Sequence, residues 1–169
     1  MAAASNKMQG LEEWFTENGG YLNPAVRLAY NEQLGAHFQT IAPVPAGTRI
    51  LTVPHHLALS NLNAQVDDAF PVFRDHARSF TVEALSFFYL MSQWIHKEES
   101  FWKPYLETLP SPEQSYETPL WFSDEDKKWL EGTDLQPTSA ARKDIWQQYW
   151  RRGLEVLKSA DVDVVPYTW

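Results

Sequence analysis

Apolar positions keep a helical spacing near both ends of the chain, fill one central stretch almost all round, and alternate weakly between Tyr21 and Leu34. From Leu11, the run LEEWFTENGG puts Leu11, Trp14 and Phe15 on one face of a short amphipathic helix, with Gly19-Gly20 as its stop. Residues 1–10 lack such a pattern and are expected to form a flexible N-terminus. Tyr21 to Leu34 alternates weakly, reads as strand or extended chain, and runs into Gly35. In AHFQTIAPVPAGTRILTVP the turn at Pro45 to Gly47 separates two β-rich runs, 38–41 and 49–53, which read as a hairpin-like unit. Pro43, Pro45 and Pro54 would interrupt a central ladder, so these strands are expected to be short or at an edge.

Ser60 is a candidate helix N-cap, and 67–77 is ambiguous, broken by Pro71. Phe80 to Trp94, FTVEALSFFYLMSQW, is apolar almost all round, the pattern of a helix buried in a core. The block SFWKPYLETLP follows at Ser100 to Pro110. Ser123, followed by acids that suit a helix N-terminus, predicts a helix closing at Gly132. A last long helix is predicted over 139–159, with Ile145, Tyr149, Leu154 and Leu157 near helical spacing. A β-rich first third followed by a helical remainder makes the fold class α+β with segregated elements.

Composition narrows the picture. With 169 residues, 44% of them hydrophobic and 21% charged, the chain can bury a core of ordinary size. A net charge of -8 opposes binding to a phosphate backbone, so nucleic acid is not an expected partner. No apolar run reaches the roughly 20 residues of a membrane span, and MAAASNKMQG lacks a signal peptide's apolar core. The expectation is an intracellular protein without a membrane partner, and no Lys/Arg cluster decides between nucleus and cytoplasm. The absence of cysteine excludes disulfides, thiolate zinc sites and cysteine nucleophiles. Eight tryptophans are the oddity, since such side chains mark interlocking cores or interfaces.

Candidate chemistry is sparse. His55 and His56 follow Pro54 in what reads as extended chain, where neighbours point to opposite faces and do not converge on one ion. His37, His76 and His96 have no partner one helical turn away, so no metal ligands are expected. No G-x-S-x-G, G-x-G-x-x-G or Walker pattern occurs. Gly35-Ala36-His37 is a small-residue turn before a strand, where backbone could approach a ligand closely; an ordinary loop accounts for it as well. No complete catalytic site can be read from these residues alone.

The order of motifs is more specific. WFTENGG, the glycine turn before AGTRILTVPHHLALS, the apolar helix, SFWKPYLETLP and TPLWFSDEDKKWLEGTDL together resemble the N-terminal half of SET-domain protein methyltransferases of the Rubisco large-subunit methyltransferase type. The most specific match is S-x-W-x-P-Y-x-x-x-L-P, here Ser100 to Pro110; a W-[ST]-x-E-x-x-x-L-x-G-[ST]-like helix is matched by Trp121 to Thr133, with Phe122 placed before Ser123. The resemblance implies an incomplete SET fold, with residues 11–62 as the start of the SET domain and 63–169 as a helical insert. It implies S-adenosylmethionine as cofactor, lying against the backbone of Leu34, Gly35, Ala36 and His37, with a protein lysine as substrate. His37 stands where the family often has a second glycine.

Members of the family differ in substrate, and one branch modifies histidine. The family's Arg-Ser-x-x-F-like helix, Asn-His motif and catalytic tyrosine follow the insert and have no match downstream here. Arg78-Ser79-Phe80 precedes the insert helix, and Tyr105 and Tyr116 lie in insert segments, so none is a catalytic candidate. The expectation is a shortened N-terminal portion, inactive alone, with self-association through exposed SET strands. The competing reading is a non-catalytic protein-interaction module built on Trp121, Trp129, Trp146 and Trp150.

Overall fold

A computed structural model describes residues 2–110 and 118–168; Tyr116 falls outside them. The fold is mixed α+β, as expected: helices accompany two separate two-stranded sheets. The chain divides into two compact units, one of Met1–Asn63 with Ser92–Leu109, the other of Ala64–Met91 with Pro110–Trp169.

The first unit opens with helix α1, Ala2–Glu17. Residues 2–10, expected to be a flexible terminus, are therefore helical. Their alanines are strong helix formers without an apolar period, and Met8 anchors them at 4% exposure. The stop is where the glycine pair predicts it. Asn18 turns its side-chain amide onto Trp14 O at 2.7 Å, the Gly20 N–H donates to Phe15 O at 2.8 Å, and Gly19 takes φ +84°.

Strand β2 (Val26–Asn31) pairs antiparallel with β3 (Gly35–Thr40), and the short β1 (Tyr21–Leu22) pairs with β4 (Leu51–Thr52). The runs on either side of Pro45 to Gly47 thus do not pair with each other, contrary to the hairpin expected there. Prolines 43 and 45 offer no N–H, and asparagines direct the chain elsewhere. Asn31 Oδ1 accepts from the N–H groups of Gln33 and Leu34 at 3.0 and 2.7 Å, closing the tight turn between β2 and β3. The side chain of Asn23 donates to Arg49 O at 3.0 Å and its N–H donates to Ile50 O at 2.9 Å, drawing the second run onto β1.

The SFWKPYLETLP block forms a hydrogen-bonded corner. Ser100 Oγ donates to Gln93 Oε1 at 2.7 Å and accepts from the Trp102 N–H at 3.1 Å, leading into the single turn α5, Lys103–Leu106. Trp102, 6% exposed, donates its indole N–H to Leu57 O at 3.3 Å, while Phe101 stacks on Trp14 with ring centroids 5.3 Å apart. Ser60 caps the short α2 (Asn61–Ala64), its Oγ accepting from the Asn63 N–H at 3.3 Å.

In the second unit, α3 (Pro71–Asp75) precedes α4, Val82–Ile95, whose residues from Ser92 onward belong to the first unit. Phe73, Phe80, Phe88 and Tyr89 form an aromatic core with centroid separations of 5.7 to 6.0 Å, and Tyr89 donates its hydroxyl to Asp67 Oδ2 at 2.7 Å. Helix α4 is not buried all round: Val82 and Phe87 are exposed while Leu85, Phe88 and Tyr89 are enclosed. The helix expected after Ser123 is a 3-10 turn, Asp126–Leu130. Ser123 Oγ accepts from the Asp126 N–H at 3.1 Å, and Gly132 at φ +77° ends a segment too short to propagate an α-helix. The last helix, α6, runs Leu135–Ser159 and takes Pro137 in its first turn, where a missing N–H costs nothing.

Helix α6 reaches the aromatic core at Gly153, where an added Cβ would collide with the ring of Phe88, itself 1% exposed. Gly153→Ala is therefore expected to destabilise the chain by about 1–3 kcal/mol through overpacking, outweighing a helix-propensity gain of about 1 kcal/mol. Urea denaturation checks this: the midpoint should fall, and an unchanged or higher midpoint contradicts the packing.

Candidate functional site

The glycine turn lies at the tip of the β2–β3 hairpin. Gly35 has φ +66°, a left-handed backbone that side-chain-bearing residues adopt at a cost, and no atom lies within 4 Å of where a Cβ would sit. Register places Gly35 opposite Asn31, Ala36 opposite Tyr30 and His37 opposite Ala29. Leu34 is 65% exposed and Ala36 is also exposed, so the tip presents backbone and small side chains to its surroundings. His37 Nδ1 lies 2.9 Å from Gly35 O, and since a carbonyl only accepts, Nδ1 is the donor. Leu34 ends the turn and Gly35, Ala36 and His37 open β3, so the four adjoin along the chain while successive side chains of the strand alternate between its two faces.

Behind the hairpin, α1 and both sheets enclose an open cavity of about 380 Å³. Trp14 and Phe15 of α1, Leu28 and Phe38 of the hairpin, and Leu51 and Tyr105 are among its walls. Two groups there were not anticipated from sequence. Glu12 Oε2 accepts the Leu28 N–H at 3.0 Å, tying helix to strand, and Trp14 Nε1 is buried with no hydrogen-bond partner. None of the four turn residues lines this cavity.

The remaining candidates disperse. His55 and His56 lie in a 3-10 turn rather than extended chain, and His56 Nε2 donates to Asn18 O at 3.0 Å. Arg78 sits in a second 3-10 turn, Ala77–Ser79. Among the described residues no three His, Cys, Asp or Glu side chains gather as a metal group would, and no helix is long and apolar enough to cross a membrane. In the second unit, Trp121, Trp146 and Trp150 line a separate apolar cavity of about 280 Å³, while Trp129 is 83% exposed. Nearby, the hydrogen bond from Lys127, and then its charge, hold the Asp124 carboxyl below the usual carboxylate range, with Lys143 adding a smaller pull the same way.

No protein-family model matches the chain. It is similar to actin-histidine N-methyltransferase of Callithrix jacchus, 28% identical over 141 residues, and of Homo sapiens, 27% identical over 141 residues. Each match covers 82% of this chain but 22% of the relative, so the chain spans about a fifth of the length of these relatives. Among solved structures it shares the fold of Rubisco LSMT bound to sinefungin and monomethyllysine, with a TM-score of 0.70 and 20% identity over 96% of this chain and 35% of that one.

The geometry of the tip has a direct check. Gly35→Ala meets no steric obstacle and should cost only the left-handed backbone penalty, about 1–2 kcal/mol. Thermal melts of the two chains measure it; a variant as stable as the parent would show that Gly35 does not hold this conformation.

Proposed function

We propose that this chain forms the glycine-turn portion of an S-adenosylmethionine-dependent protein methyltransferase of the SET type. The observation that carries the reading is the shared fold over 96% of the chain with a structure bound to sinefungin and monomethyllysine. The partition expected from sequence, SET start over 11–62 and helical insert over 63–169, belongs to the same proposal.

The residues of the hairpin tip fit the cofactor on their own chemistry. The left-handed Gly35 has open space where a side chain would stand, Ala36 and Leu34 are exposed, and His37 holds its ring against the Gly35 carbonyl through Nδ1. A polar nucleoside lying against this turn would meet main-chain N–H and C=O groups at close range, which small residues permit. When bound, S-adenosylmethionine supplies an activated methyl group. The task left to the polypeptide is orientation: the turn fixes one wall, and a channel must bring an amine in line with the methyl group while excluding water. No residue of this chain is assigned to deprotonate or align the acceptor, and the 169 residues are proposed to be inactive by themselves.

The acceptor is proposed to be a lysine amine, with histidine as the competing acceptor that the name of the relatives brings forward. Calorimetry with S-adenosylmethionine tests the reading, on this chain and on a longer polypeptide adding segments that the relatives carry outside the matched stretch. The longer form should bind and methylate, the short chain should not transfer, and Gly35→Val in the longer form should weaken binding at least about tenfold without unfolding it. Unchanged affinity in that variant would remove the turn from the site. Amino-acid analysis of the labelled product separates methyl-lysine from methyl-histidine.

The strand edges support a second expectation, self-association. Phe38, Ile41, Ile50 and Val53 are all about half exposed on or beside short two-stranded sheets. Sedimentation equilibrium of the chain alone should show mass rising with concentration; a monomer at all concentrations would contradict it.

A further inference from the structure

The second unit holds a chemistry that the transferase reading does not use. The cavity of about 280 Å³ between α4 and α6 is walled by Phe87, Trp121, Trp146, Tyr149 and Trp150, with Met91 beside them, and no lining residue carries a charge. Three of its rings are held by neighbours. Trp150 donates its indole N–H to Tyr167 O at 3.2 Å, and Trp146 packs edge-on against Phe87 with centroids 5.9 Å apart. Aromatic faces in this density attract cations through the ring quadrupole, tryptophan most strongly. One wall already takes part in a cation–π contact: the ammonium of Lys143, which is not among the lining residues, lies 5.4 Å from the centroid of Trp121.

We propose that this aromatic cavity binds a quaternary ammonium group, as carried by trimethyllysine or by choline. Alkylation of the nitrogen suits the apolar lining. A primary ammonium brings N–H donors into a cavity whose lining is almost wholly apolar, whereas a quaternary ammonium has no donor to leave unpaired and offers methyl groups to the rings. The net charge of -8 favours approach of a cation from solution. The site stands independently of the transferase assignment, since neither the hairpin tip nor S-adenosylmethionine takes part in it.

Tryptophan fluorescence of the full chain, titrated at constant ionic strength with tetramethylammonium chloride and with neopentyl alcohol, a neutral molecule of the same branched shape with one added hydroxyl, reads the site. The cation should saturate the signal with an affinity about tenfold above that of the alcohol. Lys143→Gln, which removes a like charge from the rim, should tighten tetramethylammonium several-fold and leave the alcohol unmoved. Trp146→Phe keeps an aromatic wall with a weaker quadrupole and should loosen the cation more than the alcohol. Choline and a trimethyllysine peptide, titrated in parallel, identify the source by which binds more tightly. Equal or tighter binding of the alcohol, or no saturable response while circular dichroism shows a folded chain, overturns the proposal.

Discussion

A two-stranded sheet cannot stand alone in water, and the first unit contains two of them. Everything at the hairpin tip therefore depends on α1. The apolar face predicted at Leu11, Trp14 and Phe15 is the surface that both sheets face across the cavity, and the Glu12 carboxylate takes the Leu28 N–H as a direct tie from helix to strand. Holding the base of β2 leaves its far end, with the Asn31 turn and Gly35, projecting as a defined loop instead of a frayed one. The position of a small-residue turn is thus set by contacts several residues away from it.

The second unit solves its packing differently, by stacking rings. Phe73, Phe80, Phe88 and Tyr89 share one core, and Gly153 lets α6 approach Phe88 where a larger residue could not fit. The same supply of rings gives this unit an aromatic cavity. Core and cavity differ in one respect, which is that Phe87 and Trp121 remain exposed while Phe73 and Tyr89 do not. Ring-rich walls that stay open to solvent are where π-face chemistry becomes available to a ligand.

Much of this architecture was legible in the residues, and the failures have physical causes. Helix α4 follows from its nearly continuous apolar run, α6 from periodicity, the end of α1 from its glycine pair, and Ser60 from its capping chemistry. Strand pairing was not legible: alternation marks a strand but does not name its partner, and here Asn23 and Asn31 make that choice through hydrogen bonds to backbone. The alanine-rich start of α1 carries propensity without period, so it read as a tail. At the candidate site Gly35 is visible as the glycine before a strand, and the asparagine that opens N-E-Q-L-G is the sequence signal for the turn that Asn31 closes. The cavity of Trp121, Trp146 and Trp150 could not be read at all, since its walls come from segments far apart in sequence.

The central claim is that the hairpin tip at Leu34 to His37 is a cofactor-facing surface. Amide hydrogen exchange on the longer polypeptide described above, with and without saturating S-adenosylmethionine, tests it most directly. Exchange at these residues should slow when the cofactor binds, and by more than at the β1–β4 pair. Bound cofactor with unchanged exchange at the tip would place the site elsewhere and contradict the account.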